Sequence, residues 1–237
     1  MTASPLQFLE LGRRLHARGA NVLIPRLPRH GHEDRLTTVL QHLTAEEMTA
    51  FARNAVTAAR PLGQRTIVAG FSLGGLLASW LAQHEPLDRV VAIAPFLGFA
   101  FVPRRLAGQA ARWLLRQPNR FLWWNPVLRE RLMPAHGYPR YATHAVAQSY
   151  GLAQRLFLDA ERDAPATSSI DFVLNRSEVV VNNRSALRLA GSWRAHGASV
   201  KVRELRSLPP SHDIVEPLRG SWIVPRVYPE LVELLDG

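Results

Sequence analysis

The sequence predicts an α/β fold, a mostly parallel sheet with helices on both faces. Three observations carry the prediction. Short apolar runs bounded by turn residues alternate with longer segments of helical period, which is the pattern of strands buried on both faces and the helices that cover them. One such run, Arg65-Thr66-Ile67-Val68-Ala69-Gly70, leads straight into Phe71-Ser72-Leu73-Gly74-Gly75 and then into an apolar helical stretch. The length of 237 residues and a hydrophobic content of 47% suit one sizeable domain with a buried core.

Taken in order, residues 6–18 carry apolar side chains at helical spacing and stop at Gly19, and residues 20–24 form the first candidate strand. Thr44 heads the next helix with Glu47 three positions on, a capping box. Further strands are expected at 65–70, 89–94, 170–174 and 199–205, with helices between them, one holding Trp193 and ending before Gly197. The departure from alternation is a stretch from Phe99 to about Ala166, where Pro103, Pro118, Pro126, Pro134 and Pro139 interrupt short helical pieces. It reads as a cap inserted between a core of residues 1–98 and 167–237. Three of the six tryptophans and three of the four tyrosines lie in it. Such side chains suit the wall of an apolar pocket, with Trp123, Trp124 and the preceding Phe96 as candidate substrate contacts, and equally suit a small core of the insertion's own.

With no cysteine there is no disulfide framework and no thiolate chemistry, which fits a reducing compartment, and cytoplasm is the expected location. No apolar run is long enough to span a membrane and no signal peptide is recognisable, so no integral membrane segment is expected. The formal net charge of +10 raises nucleic acid as a partner, but the arginines are scattered through every segment and Lys201 is the sole lysine, so no nucleic-acid stripe is read. Oligomeric state leaves no trace in the sequence.

The strand–Gly-x-Ser-x-Gly–helix run is a nucleophile elbow. A serine on a tight strand-to-helix turn presents its hydroxyl to a cleft, and glycines at 70 and 74 keep the turn free of side chains. The helix N-terminus that follows offers unpaired N–H groups, Leu73 first, to a developing oxyanion. A serine also needs a base and an orienting acid. Among nine histidines, His212 sits in the proline-marked loop Leu208-Pro209-Pro210-Ser211-His212 after the last strand, where its ring can reach a sheet edge. Glu178 lies just past the carboxyl end of the 170–174 strand, the edge where groups of open α/β sheets gather. Asp171 falls at the beginning of that strand, at the opposite edge or buried, and Asp213 points away if His212 faces the serine. His30 and His32 form a small cluster without a further ligand set, so no metal is assigned.

With these residues in place, the chain resembles capped α/β-hydrolases of the bacterial carboxylesterase and monoacylglycerol-lipase-like kind. The resemblance covers residues 19–25 with the Pro28-Arg29-His30-Gly31-His32 loop, the Gly70–Gly75 elbow, Ile93-Ala94-Pro95, the Glu178-Val179-Val180-Val181 turn and Ser211-His212-Asp213. It implies cleavage of a small-molecule carboxylic ester by a Ser72–His212–Glu178 triad through an acyl-enzyme, without a cofactor. The same triad serves thioesterases and acyltransferases. It further implies that the loop around His30 is structural and that the backbone N–H of Met1 is the second oxyanion donor beside that of Leu73. Family members carry additional strands and a His-Gly turn ahead of the segment that opens here at Met1, one of them falling between the strands at 20–24 and 65–70. A misassigned start or an inactive truncated fragment is therefore also expected.

Overall fold

The computed structural model describes residues 2–102 and 104–236. The first helical stretch forms in two pieces, a 3₁₀ turn Pro5–Phe8 capped by Ser4, whose hydroxyl accepts the Leu6 N–H, and helix α1, Leu9–His16. Gly19, at φ +95°, turns the chain away from it. Helix α2, Ala45–Ala59, begins at the expected capping box: the Glu47 N–H donates to the Thr44 hydroxyl and the Thr44 N–H to the Glu47 carboxylate, each at 3.1 Å. Strand β1 spans Ile67–Phe71, helix α3 Leu73–His84 and strand β2 Arg89–Ile93. After β2 come helix α4, Arg104–Arg116, an antiparallel pair β3, Phe121–Trp123, and β4, Arg140–Ala142, and helix α5, Thr143–Arg162. The chain continues through β5, Ser169–Asn175, α6, Asn183–Ala195, β6, Ser199–Leu205, α7, Ile223–Arg226, and α8, Tyr228–Asp236.

Four strands form one parallel sheet in the order β1-β2-β5-β6. Its register sets Phe71 beside Ile93 and Ile93 beside Val173, so β1 and β2 finish level with one another and β5 runs two residues further, to Asn175. Side chains alternate along each strand with period two. Val90, Ala92, Ile170 and Phe172 join one core, beneath α2, α3, α5 and α6, with Phe172 stacked on Trp193 of α6 at 5.9 Å. Val91, Ile93 and Val173 join the other, closed by α1 and α8 through Leu11, Tyr228 and Leu231. Helix α3 is apolar nearly all round and buried along most of its length. Twelve residues are marginal as an isolated helix in water, so burial fixes it, each enclosed leucine contributing about 1.5–3 kcal/mol.

The candidate strand at 20–24 does not form. Residues 20–24 run without regular structure, and no backbone hydrogen bond joins them to β1 among the described residues. A strand exists only by pairing, and here residues 20–24 and β1 both line a cleft of about 780 Å³, Val22 and Ile24 together with Ile67 and Ala69, instead of pairing with each other. Asp171, read as edge-lying or buried, is buried: it is 3% exposed, with Oδ1 unpartnered and Oδ2 3.7 Å from the Arg89 guanidinium. Removal from water dominates over that neighbour and raises its pKa above the ordinary carboxylate value. Among the described residues no helix is long and apolar enough to cross a membrane.

Candidate active site

The site is built where β1 ends. Ser72 adopts φ +56°, ψ −112°, a conformation non-glycine residues rarely occupy, held by hydrogen bonds from its own N–H to Ile93 O (3.0 Å) and from the Phe96 N–H to its carbonyl (2.8 Å). The elbow needs Gly70, because a Cβ there would lie 2.0 Å from the Gly74 carbonyl oxygen. The second crowded position is not Gly74, as expected, but Gly75. A Cβ on Gly74 meets nothing within 4 Å, whereas one on Gly75 would stand 2.8 Å from Pro95 Cα and 2.9 Å from Ile93 O. The close approach is made by the chain leaving β2, a neighbour that the pentapeptide alone does not reveal.

Three distant side chains meet at this edge. His212 Nε2 is 2.9 Å from Ser72 Oγ, and His212 Nδ1 is 2.9 Å from Glu178 Oε2. The Glu178 side chain is fully enclosed; its other oxygen accepts the N–H groups of Val179 (2.9 Å) and Val180 (2.7 Å). Those donors fix the carboxylate in place with its other oxygen turned to the imidazole. Asp213 points away, as expected: its Oδ1 accepts the N–H groups of Val215 and Glu216 and so closes the turn behind the histidine. An alcohol so placed can pass its proton to the ring as it attacks, while the carboxylate keeps the ring in the tautomer that accepts it.

Two residues that sequence reasoning missed complete the geometry. The Phe71 ring lies against the His212 imidazole, centroids 4.9 Å apart at 33°, and fixes the ring's plane. Asn175, fully buried at the end of β5, donates from Nδ2 to Pro209 O (2.9 Å) and Ser211 O (2.8 Å), while its own carbonyl accepts the Glu178 N–H (3.1 Å). One residue, through its side-chain amide and its main-chain carbonyl, thus ties the histidine loop to the acid turn. A polar side chain closing an apolar strand is its only mark in the sequence.

The cleft runs from this edge along β1. Leu73, the first residue of α3, lines it, and its N–H has no acceptor within the helix. Met1 lies outside the described residues. Phe96 and Trp124 both line the cleft. Phe96 is anchored edge-on against Phe99 and Tyr150, and the Trp124 indole N–H donates to the Thr2 hydroxyl at 2.8 Å. Trp123 is not brought there. At the end of β3 successive side chains face opposite ways, and its ring lies under the Arg129 guanidinium, 5.8 Å away. His30 is buried, its Nδ1 2.8 Å from Pro28 O and its ring edge-on to Tyr138, while His32 is exposed. No group of histidine and carboxylate side chains among the described residues could hold a metal ion.

The comparisons with known proteins agree with this architecture. A profile of the alpha/beta hydrolase family matches residues 2–227. Among solved structures, the chain is similar to the Paleococcus ferrophilus monoacylglycerol lipase, with 18% identity, a TM-score of 0.71, and 99% of this chain and 90% of that one covered. A metagenome-derived lipolytic enzyme follows at 19% identity and TM-score 0.65, with 87% and 80% covered. A monoglyceride lipase of Saccharomyces cerevisiae stands at 13% and 0.59, with 92% and 75% covered. No curated protein matches the sequence. Identities this low speak for the fold alone, and the family match over nearly the whole length settles the rest: the chain belongs to the alpha/beta hydrolase family.

Proposed function

We propose that the protein is a carboxylic ester hydrolase in which Ser72 is the nucleophile, His212 the general base and acid, and Glu178 the group that orients the ring and stabilises its charge. The observation that carries the reading is the continuous relay of two 2.9 Å contacts, Ser72 Oγ to His212 Nε2 and His212 Nδ1 to Glu178 Oε2. Ser72 Oγ bonds to the ester carbonyl carbon as its proton moves to Nε2. The tetrahedral oxyanion is met by the Leu73 N–H at the start of α3. The imidazolium gives its proton to the departing alcohol oxygen and leaves an acyl-serine. Water, deprotonated by the same nitrogen, then attacks the acyl carbon, and the acid departs as the proton returns to Oγ.

Residues 99–166 act in this reading as the cap that shapes the substrate cleft, with α5 packed against α3 and α6 as its base. Phe96 and Trp124 offer an apolar wall to the substrate's hydrocarbon part. The lipolytic names borne by the similar structures favour a lipid-derived ester as the substrate. The test is turnover of p-nitrophenyl butyrate. Ser72→Ala is expected to lower kcat at least a thousandfold with an unchanged melting temperature. A folded Ser72→Ala protein retaining more than about a tenth of the activity overturns the assignment.

A further inference from the structure

The arginines look dispersed along the sequence, yet their balance against acids is not uniform. Residues 99–142, under a fifth of the chain, hold eight arginines against one glutamate, a net of +7 out of the protein's +10. Elsewhere several arginines find carboxylates, as Arg14 does with Glu10, Arg29 with Glu47 and Arg203 with Glu230 and Glu233. On this segment Arg112, Arg116, Arg120, Arg129 and Arg131 are exposed, and among the described residues no carboxylate pairs with any of them.

The same segment exposes large apolar side chains. Val127 is 86% exposed, Phe101 76% and Trp113 60%, with Leu115, Leu122 and Leu128 also standing in solvent. On α4 the two features coincide: Ala111 and Leu114 turn inward to the core, and Arg112, Trp113, Leu115 and Arg116 turn out. Single exposed apolar residues are ordinary; a cationic helix whose solvent face carries a tryptophan and a leucine between its arginines is not. Arginine recognises phosphate, and tryptophan favours the boundary between headgroups and acyl chains. A nucleic acid would match the charge and leave the valine, leucines and phenylalanine without a partner.

We propose that the exposed side chains of this segment form a docking surface for an anionic lipid bilayer, with Arg112, Arg116, Arg120, Arg129 and Arg131 at the headgroups and Phe101, Trp113, Leu115 and Val127 entering the acyl boundary. Trp124, three residues before Val127, lines the cleft. The proposal stands independently of the ester-hydrolase reading, since it requires no turnover.

The experiment is cosedimentation of the full chain with vesicles of phosphatidylcholine, with and without about 30% phosphatidylglycerol. Binding is expected at least tenfold tighter on the anionic vesicles, and weaker as salt rises from about 0.1 to about 0.5 M. The triple variant Arg112→Gln/Arg116→Gln/Arg129→Gln is expected to lose about a hundredfold, roughly fivefold for each arginine. Trp113→Ser/Val127→Asp also loses binding, with turnover of a water-soluble ester unchanged. Equal partition to both vesicle types, or binding that neither variant alters, overturns the proposal. So does duplex DNA binding that survives Trp113→Ser/Val127→Asp in full, because that marks a polyanion site rather than a lipid surface.

Discussion

Glu178→Gln tests the site through one atom. In the native protein, Oε1 accepts the Val179 and Val180 N–H groups at 2.9 and 2.7 Å, and Oε2 faces His212 Nδ1 at 2.9 Å. A glutamine is isosteric and must choose an orientation. The two backbone donors demand an oxygen, so the amide nitrogen turns to the imidazole and Nδ1 becomes the acceptor. The ring proton then sits on Nε2, 2.9 Å from Ser72 Oγ, where it blocks acceptance of the serine proton. Loss of the buried negative charge also leaves the imidazolium unsupported. Where the same tautomer error has been imposed on such a relay, kcat falls about 10⁴-fold, equivalent to about 5.4 kcal/mol of barrier. The assay is kcat and KM on p-nitrophenyl esters, with thermal melting as the control for folding. KM is expected to change little, since the carboxylate touches no substrate. A loss of less than about tenfold in kcat refutes the reasoning, because Glu178 would then be only a turn-former.

Two further outcomes follow from packing and charge. Gly75→Ala forces a Cβ to 2.8 Å from Pro95 Cα, an overpacking that costs about 1–3 kcal/mol and lowers Tm by several degrees, whereas Gly74→Ala melts at or above the parent; equal effects of the two substitutions would contradict the elbow geometry. Burial raises the Asp171 pKa, so the folded chain binds that proton more tightly than the unfolded one. The associated stability is present in acid and lost as pH rises through the folded value. Asp171→Asn is therefore expected to raise Tm near neutral pH by an amount that shrinks as pH falls toward the ordinary carboxylate range, and a gain that does not vary with pH contradicts the argument.

The elbow was readable because its causes are local: an apolar strand, a glycine, a serine and a helix in direct succession. Glu178 and His212 could be placed because each follows a recognisable strand, and a parallel sheet brings such ends to one edge. Thr44 and Glu47 declared their capping box for the same local reason. Residues 20–24 misled because a strand is defined by its partner, and apolar composition says nothing of whether one is present. Gly75 and Gly74 could not be told apart from sequence, as the crowding comes from Pro95, twenty residues on. Trp123 and Trp124 look equivalent as neighbours, yet only one lines the cleft. Asn175 shows its role only once the loop from Pro209 to Ser211 folds across it.

The most direct measurement is covalent capture of the nucleophile. A fluorophosphonate, followed by peptide mass mapping of the intact folded chain, is expected to give one adduct, on the peptide carrying Ser72, and its formation is expected to slow at least a hundredfold in His212→Ala. Folded protein that stays unmodified, or that carries the adduct on another residue at the same rate in both forms, contradicts a serine activated by His212.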